Sequence, residues 1–190
     1  MSKIETNTIA PSTGTTLTLG ENGDTVALGS GATATGFGGD NTPAFQAYNS
    51  SDQGSMGDNT YTKLILNTEL YDTDNAYDNS SNYRFTPQVA GKYYCYGQVT
   101  IAAQGGNDDA KELGLKFYKN GSAATNLVRQ SLYNLGYHNT PSLTLSAVID
   151  FNGSSDYIEL YAKINTVANG TNSTAVGNES RFGAYKLIGV

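Results

Sequence analysis

The sequence of 190 residues has no tryptophan, one cysteine and one histidine, and charged residues make up only 15% of it. A single Cys95 cannot form an intrachain disulfide, so disulfides do not hold the fold together. No apolar run reaches the roughly 18 residues that cross a bilayer as a helix. The eleven basic residues are scattered and the net charge is −6. Nucleic-acid affinity rests on neutralised phosphates, so no nucleic-acid partner is expected, and anionic membranes are equally disfavoured. Residues 1–9 are polar and lack the apolar centre of a signal peptide. Export by that route is not expected. The Asn-x-Ser/Thr sequons at Asn49, Asn120 and Asn152 read as chance in so Asn-, Ser- and Thr-rich a chain.

What is plentiful is glycine, at 22 residues, and tyrosine, at 14. Tyrosine suits strands and also wet interfaces, where the ring packs and the hydroxyl finds a partner. Few charges, many turn formers and no sustained 3.6-residue period point to an all-β protein. The pattern changes near Gly38–Pro43, which divides the chain into residues 1–40 and 41–190. In the first part an apolar residue followed by glycine recurs at Leu19-Gly20, Leu28-Gly29 and Phe37-Gly38, nine residues apart. Alternating apolar residues on a short fixed period suggest β-solenoid rungs. Three rungs bury too little surface to stand alone. The economical arrangement winds three chains about a shared axis, with Leu17, Leu19, Val26, Leu28 and Phe37 at its core. The competing reading is a disordered, low-complexity leader.

Residues 41–190 are long enough for one core. Strand-like segments recur at Ala44–Asn49, Thr60–Leu66, Tyr83–Thr86, Lys92–Ala102, Leu113–Lys119, Leu127–Tyr133, Ser142–Phe151, Tyr157–Ile164 and Arg181–Ile188. Asn120-Gly121 and Asn152-Gly153 are strong turn signals. Alternation puts Tyr93, Cys95, Val99 and Ile101 on one face, and Tyr94, Tyr96, Gln98 and Thr100 on the other. Leu143, Leu145, Ala147, Ile149 and Phe151 share a face, as do Ile158, Leu160, Ala162 and Ile164. One apolar face per strand is the pattern of a two-sheet sandwich, and many strands without internal repetition suggest a jelly roll.

Four stretches in order carry a family resemblance: Phe85-Thr86-Pro87 with Ala90-Gly91-Lys92-Tyr93-Tyr94; Leu115-Lys116-Phe117-Tyr118-Lys119-Asn120-Gly121; Leu143-Thr144-Leu145 leading to Asp156-Tyr157-Ile158-Glu159-Leu160; and Phe182-Gly183-Ala184-Tyr185-Lys186-Leu187. On these motifs the head resembles the C1q/tumour-necrosis-factor superfamily of trimeric jelly rolls. Cys95 stands where that family usually has Phe, and Ala184 where it usually has Gly. The short β-repeat peg takes the place of a collagen-like stalk. The whole chain is similar to small structural proteins of tailed bacteriophages, notably marine ones. The resemblance implies a homotrimer at the virion surface, bound to other virion proteins through residues 1–40. The head is then free for a host cell-surface glycan or protein, as in a tail fibre or spike. Capsid decoration at three-fold positions and a free lectin-like module are the alternatives.

No nucleophile motif accompanies His138, and no basic group neighbours Cys95, so no catalytic residue is assigned. Asn107-Asp108-Asp109 with Glu112 lacks anything fixing a carboxylate pair. Asp72, Asp74 and Asp78 form an oxygen-rich loop that would suit Ca²⁺, although the Gly and terminal Glu of an EF loop are missing. Loop aromatics and amides offer a better lead. Tyr133, Tyr137, His138 and Asn139 lie together, as do Tyr71, Tyr77, Asn79 and Tyr83. Rings stack on sugars and amides bond hydroxyls, but tyrosines also line trimer interfaces, and the sequence leaves both readings open.

Overall fold

The structure is a computed structural model that describes residues 8–27, 29–31, 40–103, 109–132, 139–167 and 173–188, apart from the side chains of 125–127. The chain divides into two units, Met1–Phe37 and Gly38–Val190. Among the described residues of the first unit there is no strand. A turn at Glu21–Asp24 is closed by Asp24 N donating to Glu21 O at 3.0 Å and Glu21 N donating to the Asp24 carboxylate at 2.8 Å. Leu17, Leu19 and Val26 are 42%, 50% and 59% exposed, so no described residue of this unit buries them. Leu28 and Phe37 lie outside the described residues.

The second unit is a β-sandwich without a helix among its described residues. Its strands are β1 (Ala44–Tyr48), β2 (Gln53–Met56), β3 (Thr62–Lys63), β4 (Thr68–Asp72), β5 (Tyr77–Asp78), β6 (Arg84–Phe85), β7 (Gly91–Ala102), β8 (Ala110–Lys119), β9 (Ser122–Ser131), β10 (Ser142–Phe151), β11 (Ile158–Thr166), β12 (Ser173–Ala175) and β13 (Arg181–Lys186). One sheet runs β2-β12-β7-β13-β1-β4, with β10 on the free edge of β7. The other runs β5-β6-β11-β8-β9, with β3 also on β11. Pairing within these sheets is antiparallel. Joining neighbours so distant in sequence is the mark of a jelly roll rather than a meander.

The alternation read from β7 and β10 sets the core. Tyr93, Cys95, Val99 and Ile101 are fully buried, and Leu145, Ile149 and Phe151 nearly so. Phe45 sits at the centre. Its ring stacks on Tyr77 and Phe85 at 4.6 Å and meets Phe182 edge-on at 4.9 Å. Phe151 closes the cluster against Tyr93 at 5.1 Å. Offset and edge-to-face pairs of this kind add stabilisation beyond the area they bury. Asn120 and Gly121 have φ of 52° and 75°, the two positive values that a two-residue type I′ hairpin between β8 and β9 requires.

Several expected segments differ in extent. Thr60–Leu66 yields only the two-residue β3, because Leu64 and Leu66 turn into the core while Lys63 pairs with Tyr161. Asp109–Leu115, the stretch nearest a helical pattern, is part of β8. β2, β4, β5 and β12 were not expected. β11 is buried on both faces, including Glu159 and Lys163, because side chains from β3 and β8 cover its outer side.

Candidate binding face

The two outer faces of the sandwich differ in chemistry. On the first sheet, register aligns three rows of outward side chains. Tyr71 of β4 stands beside Gln46 of β1, then Gly183 of β13, Tyr96 of β7 and Ser146 of β10. The next row holds Tyr185, Tyr94 and Val148, and the third Arg181, Gln98 and Thr144. The Tyr94 ring lies 5.5 Å from Tyr185 and 6.2 Å from Tyr96. Gln46 Nε2 donates to Tyr96 Oη at 3.1 Å. Charge is confined to the ends, where Lys92 pairs with Asp150 at 2.7 Å and Arg181 stands opposite.

Gly183 makes this arrangement possible. A Cβ there would fall 2.3 Å from Cζ and Oη of Tyr96 and 2.9 Å from the Phe45 carbonyl oxygen. The Tyr96 ring therefore lies flat across β13 and reaches Gln46 on the far strand. Burial, then the bond with Tyr71, pushes the Tyr96 phenol above its ordinary range. A groove of about 470 Å³ is bounded by Gln46, Tyr94, Tyr96, Gln98, Ser146 and Arg181 among others. Val148, Leu70 and Tyr71 remain 53%, 53% and 44% exposed near this face. Half-buried tyrosines, amides and hydroxyls with little charge are the composition of an interface centre.

The outer face of the second sheet is laced with ion pairs instead. Lys63 meets Glu159 at 2.9 Å and Lys163 meets Glu112 at 2.6 Å. Lys116 Nζ sits 3.8 Å over the Tyr61 ring, and Tyr118 packs on Tyr161 at 3.9 Å. Its charges are satisfied within one chain, so this face has less to offer a partner.

Residues singled out in the sequence fall variously. Tyr133, Tyr137 and His138 lie outside the described residues. Asn139 is exposed, and its carbonyl accepts from Ala103 N at 2.7 Å. The second aromatic group is split. Tyr77 is a core residue, stacked on Phe45 and donating its hydroxyl to Leu66 O at 3.0 Å, whereas Tyr71 joins the outer face. Asp72 accepts from Tyr77 N at 2.8 Å, and Asp74 accepts from the Thr73 hydroxyl. Asp78 accepts from Ser81 N and Ser80 N, which hold its carboxyl well below the usual range. Each of these carboxylates is thus engaged by its own loop, and no group of three or more metal-ligating side chains occurs among the described residues. Cys95 is fully buried, and burial raises its thiol. Glu112 is tied to Lys163 and, at 3.6 Å, to Arg129. The tyrosine face itself was legible as the polar side of β7, where Tyr94 and Tyr96 alternate with core residues.

No protein-family model and no curated protein matches the chain. Solved structures with the same fold include Eiger TNF from S. frugiperda, at TM-score 0.55 and 11% identity, covering 76% of this chain and 91% of that one. Murine APRIL at pH 5.0 matches at TM-score 0.52 and 12% identity, over 76% of this chain and 98% of its own. The jelly roll is therefore of the tumour-necrosis-factor type. At these identities the likeness is one of fold.

Proposed function

We propose that the protein is a homotrimeric binding module in which three jelly rolls pack through the tyrosine face of the first sheet. The contrast between the two outer faces supports this reading. One satisfies its charges internally, while the other leaves tyrosine rings and amides half-exposed with almost no charge. A surface like that gains by being covered, because aromatic residues anchor interfaces at low entropic cost. The exposed Leu17, Leu19 and Val26 fit the same symmetry, since three copies of residues 1–40 would bury what one copy cannot.

We place this trimer on a bacteriophage particle. Residues 1–40 attach it to other virion proteins, and the head is presented for recognition of a host-surface glycan or protein. The activity is binding rather than catalysis: Cys95 is sealed in the core, and the acidic side chains singled out above are tied to their own surroundings. Gold labelling of purified particles with an antibody to residues 41–190 tests the placement. Label on the tail or its fibres supports host recognition. Label spread over the shell moves the protein to capsid decoration. Absence of label from accessible particles overturns the virion assignment and leaves a free lectin-like module.

A further inference from the structure

The outer face of the second sheet holds one cluster that ion pairing alone does not account for. Lys163 of β11 is buried, with its side chain only 10% exposed. Its Nζ lies 2.6 Å from Glu112 Oε1 and donates to Asn59 Oδ1 at 2.9 Å. The three residues converge from widely separated stretches of chain; Asn59 and Lys163 are 104 positions apart. The Tyr61 ring lies beside the lysine, its centroid 5.5 Å from Lys163 Nζ, while Asn59 is exposed at the rim of the cluster. Gly114, opposite Lys163 on β8, leaves room for that ring: a Cβ there would meet Tyr61 Oη at 2.6 Å.

The backbone of Asn59 is fixed against β11. It takes a positive φ of 49°, and its N–H donates to Ile164 O at 2.7 Å. The preceding Asp58 bridges to Ile164 and accepts from Thr166 N at 2.7 Å. The loop is thereby tied to β11 at Asp58 and at Asn59. A primary amine, a primary carboxamide and a carboxylate are thus held together beside an aromatic ring, and such positioning can replace much of the entropy cost of a bimolecular step.

We propose that Lys163 and Asn59 form an intramolecular isopeptide bond, with Glu112 as the proton carrier. The lysine ammonium gives one proton to Glu112 and becomes a neutral amine. Its lone pair attacks Cγ of Asn59, forming the new C–N bond. A second proton passes from Nζ, through Glu112, to the amide nitrogen Nδ2. The old C–N bond breaks and ammonia leaves, taking the remaining proton from Glu112 to depart as ammonium. Glu112 ends as it began, a carboxylate, so no oxidant, metal or co-reactant is needed. The product is a covalent tie from the Gly57–Thr60 turn to the central strand of the second sheet.

Intact-mass spectrometry of the purified full-length protein, followed by peptide mapping, tests this. The expected mass is about 17 Da below that of the sequence, one ammonia per chain. Mapping should recover a branched peptide joining Asn59 to Lys163, with no tryptic cleavage after Lys163. Glu112→Gln keeps the amine and amide in place and should restore the unmodified mass; Lys163→Arg should do the same. The full sequence mass in the wild-type protein overturns the proposal whatever the variants do. So does an ammonia loss mapped to another residue, such as Asn120 or Asn152 before their glycines. A cross-link that persists in Glu112→Gln overturns the role given to Glu112.

Discussion

Replacing Gly183 with alanine should damage the tyrosine face more than its single methyl suggests. Gly183 has no positive φ to defend, so the effect is steric. The new Cβ would lie 2.3 Å from Cζ and Oη of Tyr96, where ordinary contacts between carbons are about 3.5–4.0 Å. The ring must swing off β13 by more than about 1 Å, since the Phe45 carbonyl at 2.9 Å limits movement of the methyl the other way. Overpacking of this kind costs about 1–3 kcal/mol. Losing the Gln46–Tyr96 hydrogen bond adds about 0.5–1.5 kcal/mol. The total is about 1.5–4.5 kcal/mol. Urea unfolding at one fixed protein concentration measures it, in the wild type and in a Tyr96→Ala background. With the ring gone, only the approach to Phe45 O remains, and the alanine should cost under about 1 kcal/mol. A coupling energy of about 1–3 kcal/mol between the two sites is therefore expected. Equal costs in both backgrounds, or a Gly183→Ala cost below about 0.5 kcal/mol, would refute the claim that this glycine exists to seat the ring.

Phe45→Ala should destabilise the fold by about 3–5 kcal/mol in the same assay, because the ring is fully buried against three others. Asp78 and Asp156 both sit below their unfolded value of 3.8, held there by the Ser81 N–H and by Lys119 respectively. The stability they lend is present above that value and fades as pH falls through the folded-state values, so acid unfolding should be shallower in Asp78→Asn. Burial pushes Tyr93 up to about 12 from 10.0, and Tyr77 and Tyr96 are raised as well. These groups favour the native state below pH 10, and that stability is lost as pH rises through their folded-state values. Ultraviolet titration should show them ionising late, and together with the rest only in denaturant. Cys95 should resist thiol reagents until the protein unfolds; prompt labelling of the native chain would contradict its placement.

The long strands were legible because each presents one face to the core. β10 is bounded as its alternation predicts, Ser142 to Phe151, and Asn120-Gly121 marked a hairpin whose geometry only such a pair satisfies. β2, β5 and β12 were not legible, since two to four residues carry no measurable period and their pairing depends on partners far along the chain. Tyr77 looked like a loop residue because its neighbours are Asp, Asn and Ser. Only the folded chain carries its ring onto Phe45. Tyr94 and Tyr96 were visible as the outward side of β7. Their union with Gln46, Tyr71 and Tyr185 depends on β1, β4 and β13 lying beside it, which no local pattern announces. The meeting of Asn59, Glu112 and Lys163 is of the same long-range kind.

The central claim is that three chains associate through the tyrosine face. Light scattering coupled to size exclusion, on the full-length protein at micromolar concentration, tests it most directly. Three chains of 20.1 kDa predict a particle of about 60 kDa, and a paired substitution of Tyr94 and Tyr96 by aspartate should shift it toward the single chain. A wild-type mass of 20.1 kDa would contradict the account.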